Sequence, residues 1–148
     1  MDSIQYANHS TRFLSGSKDG TARIWKYERR EWKAMLIDAS KSFQKNNDLN
    51  DISLDLFKKH SVTMVTWNSD DTLVVTAQNN YLLKVWNSND ARLVHELKGH
   101  TDEVYVLEAH PRDARLLLSA GHDGLIIFWN LLTGKMIKKI YNKVSIQD

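Results

Sequence analysis

The 148-residue chain contains no cysteine, which removes a disulfide framework, a thiolate nucleophile and any cysteine-ligated zinc site. This fits a reducing interior without requiring one. Proline occurs once, at Pro111, and no Gly-X-Y periodicity is present, so collagen-like and proline-rich classes are excluded. Neither charge sign dominates: 20 Lys and Arg stand against 18 Asp and Glu, a net charge of +2 spread along the chain. That is no electrostatic footprint for nucleic acid. Long hydrophobic runs are missing too. The stretch Leu125-Ile126-Ile127-Phe128-Trp129 is far short of the ~20 residues that span a bilayer, and no basic, apolar and small-residue succession opens the chain. No membrane partner is expected. With 42% hydrophobic and 26% charged residues the composition is that of a folded globular chain rather than a disordered one.

What the chain does have is an internal repeat. Three stretches align without gaps: Ser15-Gly-Ser-Lys-Asp-Gly-Thr-Ala-Arg-Ile-Trp25, Thr76-Ala-Gln-Asn-Asn-Tyr-Leu-Leu-Lys-Val-Trp86 and Ser119-Ala-Gly-His-Asp-Gly-Leu-Ile-Ile-Phe-Trp129. The tryptophans that close them are 61 and 43 residues apart. A period near 43, with Gly-His before a repeat and Trp at its end, marks blades of four strands arranged radially. The excess of 18 residues places an insertion in the polar stretch Asp38 to Lys59. The expected fold is all-β, a partial β-propeller of about three four-stranded blades. Residues 1–37, 61–98 and 99–148 form the blades and residues 38–60 a polar insertion, with a short helix expected over Asp51 to Phe57.

The strands follow from local pattern. Apolar segments precede each hydroxyl residue (Arg12 to Leu14, Leu73 to Val75, Leu116 to Leu118) and suit strands covered on both faces. Asp19-Gly20 and Asp123-Gly124 mark hairpin turns in which Gly takes positive φ. Asn80-Tyr81 holds the same place in the second repeat. Tyr enters the left-handed region poorly, so that turn is expected to differ. First strands are expected at Ile4 to Tyr6, Val62 to Trp67 and Val104 to Leu107, and outer strands at Trp32 to Ile37, Arg92 to Leu97 and Lys135 to Ile140.

Among side chains able to do chemistry, His100, Ser119, Asp123 and Trp129 stand out. The hydroxyl lies on a second strand, Trp on the third, Asp in the turn between them and His in the loop entering the blade. A buried hydrogen-bond chain is the expected result. A hydrolase triad is not, since no nucleophile elbow or oxyanion loop accompanies these residues. The first repeat keeps Ser15, Asp19 and Trp25, and the second keeps Thr76, Asn80 and Trp86. His60 is out of register with His100. The six histidines show no metal-ligand spacing, so no metal and no cofactor are expected. Lys26, Arg29, Arg30 and Lys33 form a basic cluster, read chiefly as a solvated strand edge, with a phosphate or acidic-partner contact as the lesser reading. Lys18, Asn79 and His122, just before the turns, and Glu103 and Tyr105, beside a first strand, are candidate partner-binding residues on the loop-rich face.

These repeats resemble WD40 repeats: the Gly-His signature stands at Gly99-His100, and the Trp-Asp ends appear as Trp86-Asn87 and Trp129-Asn130. Three segments also resemble the bromodomain-and-WD-repeat family: Ser3 to Trp25 with its Phe13-Leu-Ser-Gly-Ser-Lys-Asp-Gly run, Lys84-Val-Trp-Asn-Ser88, and Gly99 to Pro111 with Leu118-Ser-Ala-Gly-His-Asp-Gly124. The resemblance implies a nuclear, chromatin-associated, non-catalytic scaffold affecting transcription and cell shape, and a substrate receptor for cullin-type ubiquitin ligases. It brings no acetyl-lysine reading, since these residues contain no bromodomain. The Trp-Asp-x-Arg adaptor motif is missing after Trp25, Trp86 and Trp129. Three blades do not close a ring of four to eight. Further blades or self-association are therefore expected to cover the two open faces, and Met1, falling where a first strand should start, points to a truncated unit. A fragment without independent function, and last a propeller enzyme, are the alternatives.

Overall fold

The computed structural model describes residues 3–43 and 60–141. The helix expected over Asp51 to Phe57 lies outside them. Twelve strands form three four-stranded antiparallel meanders. The first contains β1 (Ile4–Tyr6), β2 (Phe13–Gly16), β3 (Thr21–Glu28) and β4 (Glu31–Asp38). The second contains β5 (Val62–Trp67), β6 (Leu73–Gln78), β7 (Leu83–Asn87) and β8 (Leu93–Leu97), and the third β9 (Val104–Ala109), β10 (Leu116–Gly121), β11 (Leu125–Asn130) and β12 (Lys135–Tyr141). The first strands of successive sheets approach one another, β1 beside β5 and β5 beside β9, which sets them on the inside and the fourth strands outside. Among the described residues this is a stack of three blades that does not close.

Alternation along the strands decides which blade meets which. In β6 every residue is buried: Val74 faces the first blade, while Leu73, Val75 and Ala77 face the third. β2 and β10 do not reach that state, although their sequences are as apolar as that of β6. Phe13, Leu116 and Leu118 are half-buried because one face of each terminal blade has no sheet against it among the described residues. Each inter-blade core is closed by an indole. Trp86 packs with Leu14, Ile24 and Ile37 of the first blade, and Trp129 with Val75, Val85 and Leu97 of the second. Trp25, in the same place on the first blade, meets Phe13 in a stack at 5.8 Å on the open side.

Polar bonds between blades fix the register that apolar burial leaves free. Backbone N–H groups of Asn8 and His9 donate to the two carboxylate oxygens of Asp71 at 2.8 and 2.7 Å. Arg12 donates to the carbonyl oxygens of Ser88 (3.2 Å) and Asp71 (3.4 Å) while its guanidinium lies 4.9 Å over Trp67. The buried Lys84 ammonium donates to the carbonyls of Ala39 (2.6 Å) and Lys41 (2.7 Å), so this cation inside an apolar strand ties β7 to the segment after β4.

The β6–β7 turn corrects one expectation. Tyr81 adopts φ 71°, alongside 85° for Gly20 and 78° for Gly124, and all three turns carry the same backbone bond, here from Tyr81 N–H to Gln78 O at 3.0 Å. The second turn therefore does not differ from the others. Pairing of β6 with β7, Ala77 against Leu83, and acceptance of the Leu82 N–H by the Asn80 side chain over-determine the backbone. The left-handed conformation costs a side-chain-bearing residue roughly 1–2 kcal/mol. Tyr81→Gly is expected to raise stability by about 1 kcal/mol despite the entropy Gly loses on folding, read from a denaturant midpoint. A lower midpoint would show that the Tyr ring stabilises the turn.

Candidate functional site

The turns joining second to third strands gather at one end of the stack, and the segments entering each blade return to the same end. Ser61, on the way into β5, hydrogen-bonds the first blade's turn through its hydroxyl to Lys18 O (3.1 Å), while the Val62 N–H donates to Ser17 O (2.9 Å). Ser61 O in turn accepts from the Asn79 N–H at 3.0 Å, and His60 Nδ1 lies 3.1 Å from the Asn79 side-chain oxygen. In the third blade the His122 N–H donates to Glu103 O at 2.8 Å, and the His122 and Tyr105 rings lie 4.8 Å apart, 33° from parallel. Lys18, Asn79, Glu103, Tyr105 and His122 are all exposed. The structure therefore brings Glu103, Tyr105 and His122 into one cluster, and joins Lys18 to Asn79 through His60 and Ser61.

Beneath the third blade's turn lies the four-residue constellation. The Trp129 indole donates to Ser119 Oγ at 2.8 Å, Ser119 Oγ and His100 Nε2 are 2.7 Å apart, and His100 Nδ1 is 2.9 Å from the Asp123 carboxylate. Because the indole can only donate, one proton order uses every group: Ser119 O–H to Nε2, then Nδ1–H to the carboxylate. Asp123 also accepts the N–H groups of Thr101 (2.9 Å) and Leu125 (3.0 Å). These Ser–His–Asp distances would suit a nucleophile, but Ser119 is 0% exposed and its hydroxyl already accepts the indole, so no substrate reaches it.

The other blades carry parts of this chain. Ser15 Oγ accepts from Trp25 at 3.0 Å and Thr76 Oγ1 from Trp86 at 3.0 Å, while Asp19 turns to the Thr21 amide (3.0 Å) and hydroxyl. Space explains the difference between the second and third blades. A Cβ on Gly121 would lie 2.9 Å from His100 Nδ1 and 2.8 Å from an Asp123 carboxylate oxygen, so only Gly leaves room for the ring. Gln78 occupies that alignment position in the second blade; it is 2% exposed, donates to His60 O at 3.2 Å and leaves its own Oε1 without a partner.

The turn aspartates bear on acid stability. Burial pushes the Asp123 carboxyl up, but the Thr101 and Leu125 amides and His100 together hold it below the ordinary carboxylate range. The Thr21 hydroxyl lowers Asp19, the Thr72 hydroxyl lowers Asp70, and Arg115 brings Asp113 down to about 2. A carboxyl whose folded value lies below its unfolded 3.8 stabilises the fold above that value and loses the contribution as pH falls through the folded value. Asp113 is half-buried and paired with an exposed Arg115, whereas the Asp123 side chain is buried, so solvent screening leaves Asp123 the larger share. The melting temperature is expected to fall steeply below about pH 4. A Tm that stays flat down to pH 2 would contradict these assignments.

Sequence reasoning missed Asp71, Lys84 and Gln78. Only Lys84 left a signal, a charge inside the apolar run Leu82 to Trp86.

Comparison with known proteins follows the same lines. The family model "WD domain, G-beta repeat" matches residues 2–26, 52–87 and 91–130. A bromodomain and WD repeat-containing protein of Dictyostelium discoideum is 36% identical over 92% of this chain, and the F-box-like/WD repeat-containing protein TBL1X of Mus musculus is 29% identical over 85%. The chain spans only 6% and 23% of the length of these two relatives. Among solved structures, the C-terminal WD40 domain of Sif2 superposes with a TM-score of 0.72 at 20% identity, covering 97% of this chain and 37% of that one.

Proposed function

From the premise that the chain belongs to the WD40 repeat family, whose domains are protein-interaction modules, we propose that its loop end is a non-catalytic docking surface for a basic peptide segment of a protein partner. The observation that carries this reading is the Tyr105–His122 ring pair, with Tyr105 47% exposed and Glu103 bonded to the same turn. A Lys or Arg head over such a ring gains roughly 0.5–1 kcal/mol at an exposed site, and a neighbouring carboxylate adds to the attraction. Asn79 on the neighbouring turn extends the surface to the second blade, and Lys18, of the same charge as the peptide, bounds it on the first. Resemblance to bromodomain and WD repeat proteins supports a nuclear, chromatin-associated role, and extends to a substrate-receptor role in a cullin-type ubiquitin ligase. The burial of Ser119 supports the absence of catalysis at His100 and Asp123.

The test is binding of a labelled Lys/Arg-rich peptide, followed by fluorescence anisotropy. Tyr105→Ala with His122→Ala is expected to weaken binding about tenfold and to leave the melting temperature close to wild type. Unchanged affinity in the double variant, or a preference for an acidic peptide at this site, would overturn the reading.

A further inference from the structure

A second surface lies at the opposite end of the sheets. The β1–β2 turn of the first blade and the β7–β8 turn of the second lie there, away from the turns that carry Lys18, Asn79 and His122. Between them the first blade's outer strands leave a groove of about 450 Å³. Its floor is apolar, formed by Ile24, Ala34 and Met35, and its walls carry Arg12, Lys26 and Lys33 with no carboxylate among the lining residues.

Two independent features of the β3–β4 hairpin concern its cations, the groove lysines and the arginines at its tip. Lys26 and Lys33 are directly paired across the strands, on the face that meets the second blade, and like charges in that relation destabilise a sheet. Lys26 is offset by Glu28 at 3.1 Å; Lys33 has no acidic partner among the described residues. At the hairpin tip, where Glu28 pairs with Glu31, the two-residue turn is Arg29-Arg30, with φ 50° and 67°. Positive φ at both positions is the geometry that Asn-Gly serves without strain, and two arginines there cost stability. One short hairpin thus makes three locally unfavourable choices; two of them place cations, and the third is the Glu28–Glu31 pair beside the tip arginines. Such conflicts between local preference and fold concentrate at functional sites.

The geometry points to this groove as a docking site for an acidic peptide segment bearing an apolar side chain. Arg12 is held in place by its bonds to Ser88 O and Asp71 O and by Trp67, so one of the three cations is pre-positioned. The apolar residue of the partner covers Ile24 and Met35, and its carboxylates approach Lys33, Lys26 and the tip arginines. Both blades that form the groove lie within this chain, so the site does not depend on what covers the open faces of the stack.

The experiment uses the full chain and a short fluorescein-labelled peptide of alternating glutamate and leucine, titrated at low and high salt. Binding is expected to weaken with salt, as exposed charge pairs do. K26Q/K33Q is expected to lower affinity about tenfold. R29N/R30G separates binding from folding: it is expected to raise the melting temperature, because the turn becomes unstrained, while it weakens the peptide. Y105A/H122A is expected to leave the acidic peptide unaffected, which makes failure here distinguishable from failure of the loop-end reading. Equal affinity for a lysine–leucine peptide, no loss in K26Q/K33Q, or complete displacement by inorganic phosphate alone would each overturn the proposal.

Discussion

Replacing Trp86 with Ala is expected to cost about 3–5 kcal/mol. The indole is fully buried between the first and second blades, against Leu14, Ile24 and Ile37, and its N–H donates to Thr76 at 3.0 Å. Truncation removes that apolar contact, leaves a cavity that strands on either side are too constrained to fill, and strips a buried hydroxyl of its partner. The prediction gains force from its two counterparts. Trp129 closes the next interface and should cost a similar amount. Trp25 has the same place in the repeat and the same bond to a hydroxyl, yet it stacks on Phe13 of its own blade and has no neighbouring sheet against it among the described residues. Trp25→Ala is therefore expected to cost about half as much or less. Equilibrium denaturation of the three variants gives the order directly. Equal losses at Trp25 and Trp86 would mean that the indole matters through its own blade and not through the interface.

Asp123→Ala is expected to destabilise the chain by about 2 kcal/mol. Three donors lose their acceptor: His100 Nδ1–H, whose ring is buried, and the amides of Thr101 and Leu125. Thr101 is exposed and Leu125 lies at a turn edge, so their amides regain water in part, which keeps the total below three full desolvation penalties. The corresponding Asp19→Ala should cost less, because Asp19 is exposed and serves only its own turn. Asp123→Asn is informative in a second way. It retains one acceptor oxygen but no titration, so the loss of stability below about pH 4 should become shallower than in wild type. If Asp123→Ala melts with wild-type midpoint, the buried chain from Trp129 to Asp123 contributes nothing to the fold.

Much of the architecture was legible because the repeat carries its own landmarks. A hydroxyl residue, a turn and a Trp at fixed spacing specify two strands and the hairpin between them, and β5 begins and ends where the pattern of Val62 to Trp67 placed it. The network residues were legible for the same reason: four side chain types in one register have few ways to meet. What could not be read was anything settled between blades. Asn8 and Asp71 are 63 residues apart in sequence, and neither stands out locally. Gln78 looks like an ordinary polar end of a strand, and only the space above Gly121 shows why a buried amide replaces His100 there. Tyr81 misled because propensity argued against positive φ, whereas the strand pairing on both sides of the turn imposed it. At Arg29 and Arg30 sequence suggested a charged edge first and a phosphate or acidic-partner contact second, and nothing of their backbone geometry. The tight register of β3 against β4, from Thr21–Asp38 to Glu28–Glu31, is what forces both residues into the left-handed region.

Both proposed surfaces rest on a stack of three sheets with the middle one sealed on each side. Native-state amide hydrogen exchange, resolved by strand, probes that arrangement most directly. Amides of β6 and β7 should exchange only through global unfolding, with protection equal to the full stability of the chain, whereas β12, exposed along its whole length, should open locally and exchange far sooner. Protection in β6 and β7 no greater than in β12, or a third blade that opens while the second stays closed at its free face, would contradict a sealed central blade.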